Sequence, residues 1–269
     1  MNAGATLPLR AAERHRLRRA SFDVNPALYE RTRPGYPAKM FDDLVRLARL
    51  EQGSRALEIG PGTGQATLEL ARRGLAVTAV ELSPRMARRC RRNLRGYPRV
   101  EILNVGFEDW PVEPAAFRLV FAASAFHWLP TRTAYPGAAR ALAEGGWLAL
   151  AWHFRETPDD AIRRELDAVY RAAGLKPWRA RPPGERIRRQ RRAILNSGLF
   201  GPVTILRYPC VRRYAVEEYV DLLRTMSDHA IRTPAVKRRL FGGIRRTLAR
   251  HGGLFEQRSV VALILAPKR

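Results

Sequence analysis

The sequence predicts a doubly wound α/β fold: a mostly parallel sheet of seven strands covered by helices on both faces, with a helical lid inserted in its C-terminal half. Three observations lead there. Apolar runs of strand length alternate with segments of helical period between residues 55 and 152, as βαβ units require. The first of those strands runs straight into a glycine-rich turn and a helix at Leu57 to Gln65. At 269 residues the chain can bury the core of one large α/β domain, whereas two complete domains are a tight fit.

The elements follow in order. Residues 1 to about 20 are polar and arginine-rich and read as a frayed or loosely docked arm. Ser21 to Pro37 is too rich in Tyr, Arg and Pro to be a linker, and Lys39 to Leu50 has a helical apolar period. Strands are expected at Arg55 to Ile59, Ala76 to Glu81, Val100 to Val105, Leu119 to Ala123 and Trp147 to Trp152. Helices are expected between them at Ala66 to Arg73, at Pro84 to Leu94 behind a Ser83 cap, and at Thr133 to Ala143. A turn is expected at Glu144-Gly145-Gly146. Beyond His153 the rhythm changes to helices at Asp159 to Ala173, Gly184 to Ser197, Val216 to Thr225 and Ala235 to His251. Two strands complete the sheet, Val203 to Tyr214, an edge strand because it holds Pro209, and Ser259 to Leu265. The expected organisation is an arm and covering segment over 1–40, a core that carries the glycine-rich turn over 41–155, and a lid plus the last two strands over 156–269.

Composition narrows the class. With 46% hydrophobic and 28% charged residues the chain is an ordinary globular protein. No apolar run reaches the length of a bilayer span and the first residues lack an apolar signal core, so a cytoplasmic protein without membrane contact is expected. Only Cys90 and Cys210 are present, without ligand spacing, which predicts reduced thiols and no metal. The net charge of +24 comes almost wholly from arginine. That bias is what a GC-rich genome produces through codon usage, and the runs Arg85 to Arg99, Arg179 to Arg192 and Lys237 to Arg250 are spaced like solvated helix faces. An anionic partner is the other reading.

The chemistry concentrates at Glu58-Ile59-Gly60-Pro61-Gly62-Thr63-Gly64-Gln65. Glycines let a backbone turn sharply and approach a ligand, and a helix N-terminus offers unpaired N–H groups. Nicotinamide-binding folds use a similar turn. Here, however, Glu58 precedes the glycines inside the strand, where it would repel a pyrophosphate and attract an amino group. Glu81 ends the second strand, where a carboxylate can accept two ribose hydroxyls. The pair suits a cationic nucleoside amino acid without phosphates.

Over roughly residues 22 to 155 these features resemble the class I S-adenosylmethionine-dependent methyltransferases, which have a Rossmann-like sheet. The resemblance implies S-adenosylmethionine as cofactor and S-adenosylhomocysteine as product. Gly60, Pro61, Gly62, Thr63, Gly64 and Gln65 would border the methionine part, with Glu58 near its ammonium. Glu81 would hold the ribose, and Leu82, Met86, Phe107 and Ser124 would complete the site. The family's acidic residue after the third strand is replaced by Gly106, which leaves Glu108 or Asp109 as the substitute. Arg118 stands where the family often has Asp.

Methyl transfer from a sulfonium needs alignment and exclusion of water more than an elaborate catalytic apparatus. His127, in Ser124-Ala125-Phe126-His127-Trp128 after the fourth strand, is the best placed titratable group to act as base, its alternative being a packing role. That segment and Tyr29-Glu30-Arg31-Thr32-Arg33-Pro34-Gly35-Tyr36 are similar to trans-aconitate methyltransferases and their small-molecule relatives. The similarity implies an N-terminal segment folded over the cofactor, with Tyr36 beside His127 at the catalytic site and Tyr29, Arg33 and Trp128 facing the acceptor. The stretch around His229, with Arg224 and Asp228, resembles bacterial members of the group and adds a substrate contact, against a helix-junction reading.

The expected activity is therefore methylation of a small molecule, on oxygen, a carboxylate among the acceptors. RNA methylation is the enzyme alternative, since the glycine turn also resembles RNA adenine dimethyltransferases. Those carry an Asn-Leu/Ile-Pro-Tyr/Phe run after the fourth strand, which Ser124 to His127 does not supply. A cofactor-binding regulator without turnover is the third reading. Monomer and dimer are both compatible with the sequence.

Overall fold

A computed structural model describes residues 11–157, 160–177 and 181–269 of the protein. Its centre is a seven-stranded sheet in the order β3-β2-β1-β4-β5-β7-β6. β1 (Arg55–Ile59), β2 (Ala76–Val80), β3 (Val100–Leu103), β4 (Phe117–Ala123) and β5 (Leu142–Arg155) run parallel. β7 (Leu254–Pro267) is antiparallel between β5 and β6 (Thr204–Ala215). The strand order reverses between β1 and β4, the place where open α/β sheets bind ligands. β6 is the edge strand and carries Pro209, as its proline requires.

The helices are α1 (Ala11–Ala20), α2 (Pro26–Thr32), α3 (Ala38–Leu47), α4 (Gln65–Arg72), α5 (Pro84–Asn93), α6 (Thr131–Ala141), α7 (Ala161–Ala172), α8 (Pro183–Asn196), α9 (Val216–Arg224), α10 (Ser227–Ala230) and α11 (Pro234–Arg250). Alternation along the strands sorts side chains to two faces. One face buries Leu57, Val120, Ala122, Leu148 and Leu150 under α6 and α8. The other buries Ala56, Leu119, Phe121, Ala149 and Ala151 under α3, α4 and α5. A third apolar cluster joins α7, α9 and α11 through Leu166, Val220, Leu223, Phe241 and Ile244. These helices of the C-terminal half thus have a core of their own.

Four expectations need correction. The arm is a helix, α1, docked by Arg18 Nε donating to Ser227 Oγ at 3.1 Å and by the Arg19–Glu108 ion pair at 2.8 Å. Its partners lie far along the chain, so no local pattern signals the docking; residues 1–10 of the arm lie outside the described part. The Tyr/Pro-rich segment holds α2, capped by Asn25 Oδ1, which accepts from Leu28 N at 2.9 Å, with Pro26 first in the helix. Glu144-Gly145-Gly146 is a bulge within β5 rather than a turn before it, because the pairs Phe117–Leu142 and Leu119–Trp147 bracket unequal lengths. Finally, β5 continues past Trp152 to Arg155, since β7 starts early enough to pair with it out to Ser259. Asp159 and Arg179, expected in helix α7 and the second arginine run, lie outside the described residues.

Candidate cofactor and acceptor site

A cavity of about 570 Å³ opens at the carboxyl ends of β1, β2 and β4, within the range of small-molecule sites. Its floor is the glycine turn. Gly60 has φ +68° and a Cβ there would stand 2.7 Å from that of Ala125. Gly64 has φ +90° and would meet Cys90 Sγ at 2.9 Å. Both the left-handed backbone and the close approach exclude other residues. Gly60 and Gly62 line the cavity. Pro61, Thr63 and Gly64 stand behind them, and Gln65 turns away, its Nε2 donating to the carbonyls of Glu30 at 3.2 Å and Arg33 at 3.3 Å. Gln65 thus ties α2 to the turn, a structural task where a cofactor contact was expected.

Glu81 is buried at the end of β2 and lines the cavity. Its Oε2 accepts from Gly62 N at 3.0 Å and its Oε1 from Ser83 N at 2.8 Å. Burial raises its pKa, and the two N–H groups oppose the rise. Each oxygen keeps a lone pair for a further donor. Glu58 lies beneath the turn, fully buried, and neither of its carboxyl oxygens has a hydrogen-bond partner. Burial pushes it up to about 7, against the nearby Thr67 hydroxyl. The hydroxyls of Thr63 and Thr67 are also buried without partners. Such unspent polar groups are costly, and a cationic ligand on the turn would repay Glu58. Met86 and Phe107 are buried on the cavity wall, Leu82 is half exposed there, and all three can sandwich an adenine. These residues fit S-adenosylmethionine.

Glu108 and Asp109 do surround the place of the missing side chain at Gly106, at 3.5 and 3.2 Å from where its Cβ would be. Glu108, however, is already engaged by Arg19 Nη1. Arg118 donates to the Glu144 carbonyl at 3.0 Å and so braces the β5 bulge.

Ser124 follows β4 at φ +56°, a strained value for a residue with a Cβ, and lines the cavity. Tyr36 donates its hydroxyl to Ser124 Oγ at 2.9 Å, and burial raises the phenol well above its usual pKa. Tyr36 thus stands behind the wall, bonded to Ser124. Tyr29 and Trp128 line the cavity directly.

Three expected contacts are redirected. Arg33 donates from Nε to Thr225 Oγ1 at 3.0 Å and from Nη2 to Thr225 O at 2.8 Å, fastening α2 to the end of α9. His229 is buried among α7, α10 and α11, bonded to the Tyr170 hydroxyl at 2.8 Å and to Asp228 at 3.1 Å; Arg224 pairs with Asp221 at 2.7 Å. That junction is packing, not acceptor surface. His127 is outside the cavity lining, and its Nδ1 takes a hydrogen bond from Trp152 Nε1 at 3.3 Å. An indole N–H only donates, so the neutral ring carries its own proton on Nε2. Crowding of the ring by its neighbours and the charges of Arg18, Arg186 and His15 hold it down to about 4 although the residue is partly exposed, and Trp152 occupies the lone pair a base would use.

Sequence reasoning missed the residues of the N-terminal helix and its connection: His15, Arg16, Arg19, Phe22 and Asp23 all line the cavity. Asp23 Oδ1 accepts from Ser83 Oγ at 2.5 Å and Arg85 N at 2.9 Å, closing the N-terminus of α5. It also missed His153, whose Nε2 donates to the Gly35 carbonyl at 2.8 Å while its ring lies 4.8 Å from that of Tyr36.

With the sheet order and the turn in view, comparison with known proteins is decisive. Residues 56–146 match the model of a methyltransferase domain family. Those residues carry a methyltransferase domain, and the sheet around them has the class I S-adenosylmethionine-dependent methyltransferase fold. An uncharacterised methyltransferase of Mycobacterium tuberculosis is 37% identical over 136 residues, covering 51% of this chain and 53% of that protein. The chain thus spans about half the length of the curated relatives it matches first. A putative methyltransferase from Anaeromyxobacter dehalogenans shares the fold with a TM-score of 0.59, at 24% identity and over 88% of this chain and 96% of that one. A phosphoethanolamine N-methyltransferase of Haemonchus contortus, solved with S-adenosyl-L-methionine, matches with a TM-score of 0.55 at 18% identity, over 91% of this chain and 57% of that one. Among the described residues no helix is long and apolar enough to cross a membrane.

Proposed function

We propose that this methyltransferase moves the methyl group of S-adenosylmethionine to an oxygen atom of a small molecule, carboxylates being among the acceptors. The observation that carries the reading is Glu81: a buried carboxylate, fixed by the Gly62 and Ser83 amides, that faces a cavity of cofactor size beside an unpartnered Glu58. The sulfonium, when bound, supplies an activated methyl carbon. The chain's own residues align and shield. Glu81 accepts from the ribose hydroxyls, and Met86, Leu82 and Phe107 enclose the adenine. The Gly60–Gly64 turn seats the methionine part, with Glu58 beneath it as counter-charge. Tyr36 holds Ser124 so that the serine proton can point to the acceptor. Tyr29, Phe22 and Trp128 keep water out.

A small acceptor is favoured because α1 and its connection contribute His15, Arg16, Arg19, Phe22 and Asp23 to the lining of the cavity. Titration calorimetry with S-adenosylhomocysteine tests the cofactor, and incubation with labelled S-adenosylmethionine and a metabolite panel tests the transfer. Micromolar binding and label on an oxygen are expected. No binding, or label only on RNA, would end the proposal.

A further inference from the structure

Beyond the cofactor end, rings and cations form one continuous series of contacts. Arg186 of α8 sits with Cζ 4.5 Å above the Phe154 ring. Phe154 stacks on Trp152 at 6.1 Å, and Trp152 bonds to His127 as described. His127 packs on Trp128 at 5.0 Å, and Trp128 is flanked by His15 and by Arg18 Cζ, each 5.4 Å away. The series rests on the projecting end of β5. Ser124 N bonds to the Ala151 carbonyl as β4 ends, so Trp152 to Arg155 rise beyond it, paired only with β7. Trp128 and His15 also line the cavity, so the series begins where cavity meets solvent.

Its chemistry is one-sided. Guanidinium groups have donors only, and His127 offers its Nε2–H because Nδ1 is taken. Arg18 donates to Ser227, His15 to the Trp128 carbonyl, and the half-buried Arg186 guanidinium has no hydrogen-bond partner among the described residues. Among the described residues no carboxylate pairs with any of the four. A guanidinium partly out of water without a counter-charge is a standing cost, and Arg155 nearby adds to it. The deep end of the cavity, by contrast, presents Glu81, with Glu58 beneath the turn. A cation belongs inside and an anion at the mouth.

We infer that this series is an anion subsite of the acceptor: the substrate is an organic anion with an apolar body, its charge held by Arg186, Arg18 and the His127 Nε2–H, its reacting oxygen turned inward to Ser124. The anchored charge is thus a different group from the one methylated. Phe22, Ala125 and Leu129 on the intervening wall account for the apolar body. The inference rests on the methyl-transfer reading and adds the substrate class to it.

Octanoate and octanamide, equal in shape and different in charge, probe it directly. Each is titrated into the protein loaded with S-adenosylhomocysteine at physiological salt. Octanoate is expected to bind at least tenfold more tightly than octanamide. Arg186→Gln should shrink that preference below about threefold with S-adenosylhomocysteine affinity unchanged. Arg188→Gln, altering an exposed arginine on the same helix, should leave it intact and so controls for the general positive charge. Equal binding of the two probes, binding of neither, or a preference that survives Arg186→Gln would overturn the inference. Loss of S-adenosylhomocysteine binding itself would instead bring down the cofactor reading.

Discussion

The glycine turn and the shell of helices that covers it spend their polar groups in opposite ways. Around the turn, Glu58, Thr63 and Thr67 keep buried oxygens without partners. In the shell, Arg33, Gln65, Asp23 and His229 are bonded within the protein. At the turn these oxygens are left for a ligand, and in the shell these bonds hold the container together. Charge alone separates the two poorly, since Arg33 and Glu81 both sit near the cofactor end.

The largest effect should come from Glu81→Ala. Removing a buried carboxylate that fixes the turn and accepts from the ribose should weaken S-adenosylhomocysteine binding by about a hundredfold or more, since charged hydrogen bonds are worth roughly 1.5–3 kcal/mol each; calorimetry reads it. Retained affinity would remove Glu81 from the site.

Next comes pH. The Glu58 carboxyl is raised from its usual range to about 7 in the free protein. A raised carboxyl contributes stability that is complete below the unfolded-state pKa and lost as pH climbs through the folded one. Thermal melts of the free protein should therefore fall between about pH 4.5 and 7, the model-to-folded window of this group. Cofactor affinity should rise over the same range, because only the ionised form attracts an ammonium. Glu58→Gln should flatten both profiles, and parallel profiles in wild type and variant would show that another group titrates.

The shell should answer differently. His229→Phe breaks the Tyr170 bond in a buried junction and should cost about 1–3 kcal/mol of stability, measured by denaturant unfolding, while cofactor affinity stays within a factor of two. A large loss of affinity at equal stability would move His229 back to the substrate side. Arg19→Ala should have the smallest effect. The Arg19–Glu108 pair is partly exposed, at 23% and 21% for the two side chains, and such pairs contribute up to about 1 kcal/mol. Stopped-flow release of S-adenosylhomocysteine should quicken by a few-fold at low salt, and the difference should fade at high salt.

What was legible in the sequence follows the same division. The turn at Gly60 to Gly64 and the acid at Glu81 could be read because strand, turn and helix are contiguous, and the strand pattern needed only short windows. Asn25-Pro26 was an equally local signal, a cap followed by a first-turn proline, hidden among aromatic residues that suggested a ligand contact. The helix α1 was not readable: it is polar on its own, and its meaning lies in Trp128, Glu108 and Ser227, which reach it only in three dimensions. The choice between base and packing for His127 was not readable, because a sequence shows a titratable group but not that Trp152 Nε1 donates to its Nδ1.

The place of β7 has a consequence for how the molecule is made. It follows β6 in the chain, yet it sits inside the sheet, and among the described residues it is the only strand neighbour of β6. Until it emerges during synthesis, β5 and β6 both present open edges, and the end of β5 that carries Trp152 to Arg155 has nothing to pair with. Unpaired edges invite association with other chains. The protein's exposure to misassembly is therefore concentrated in the interval between the completion of β6 and the arrival of β7.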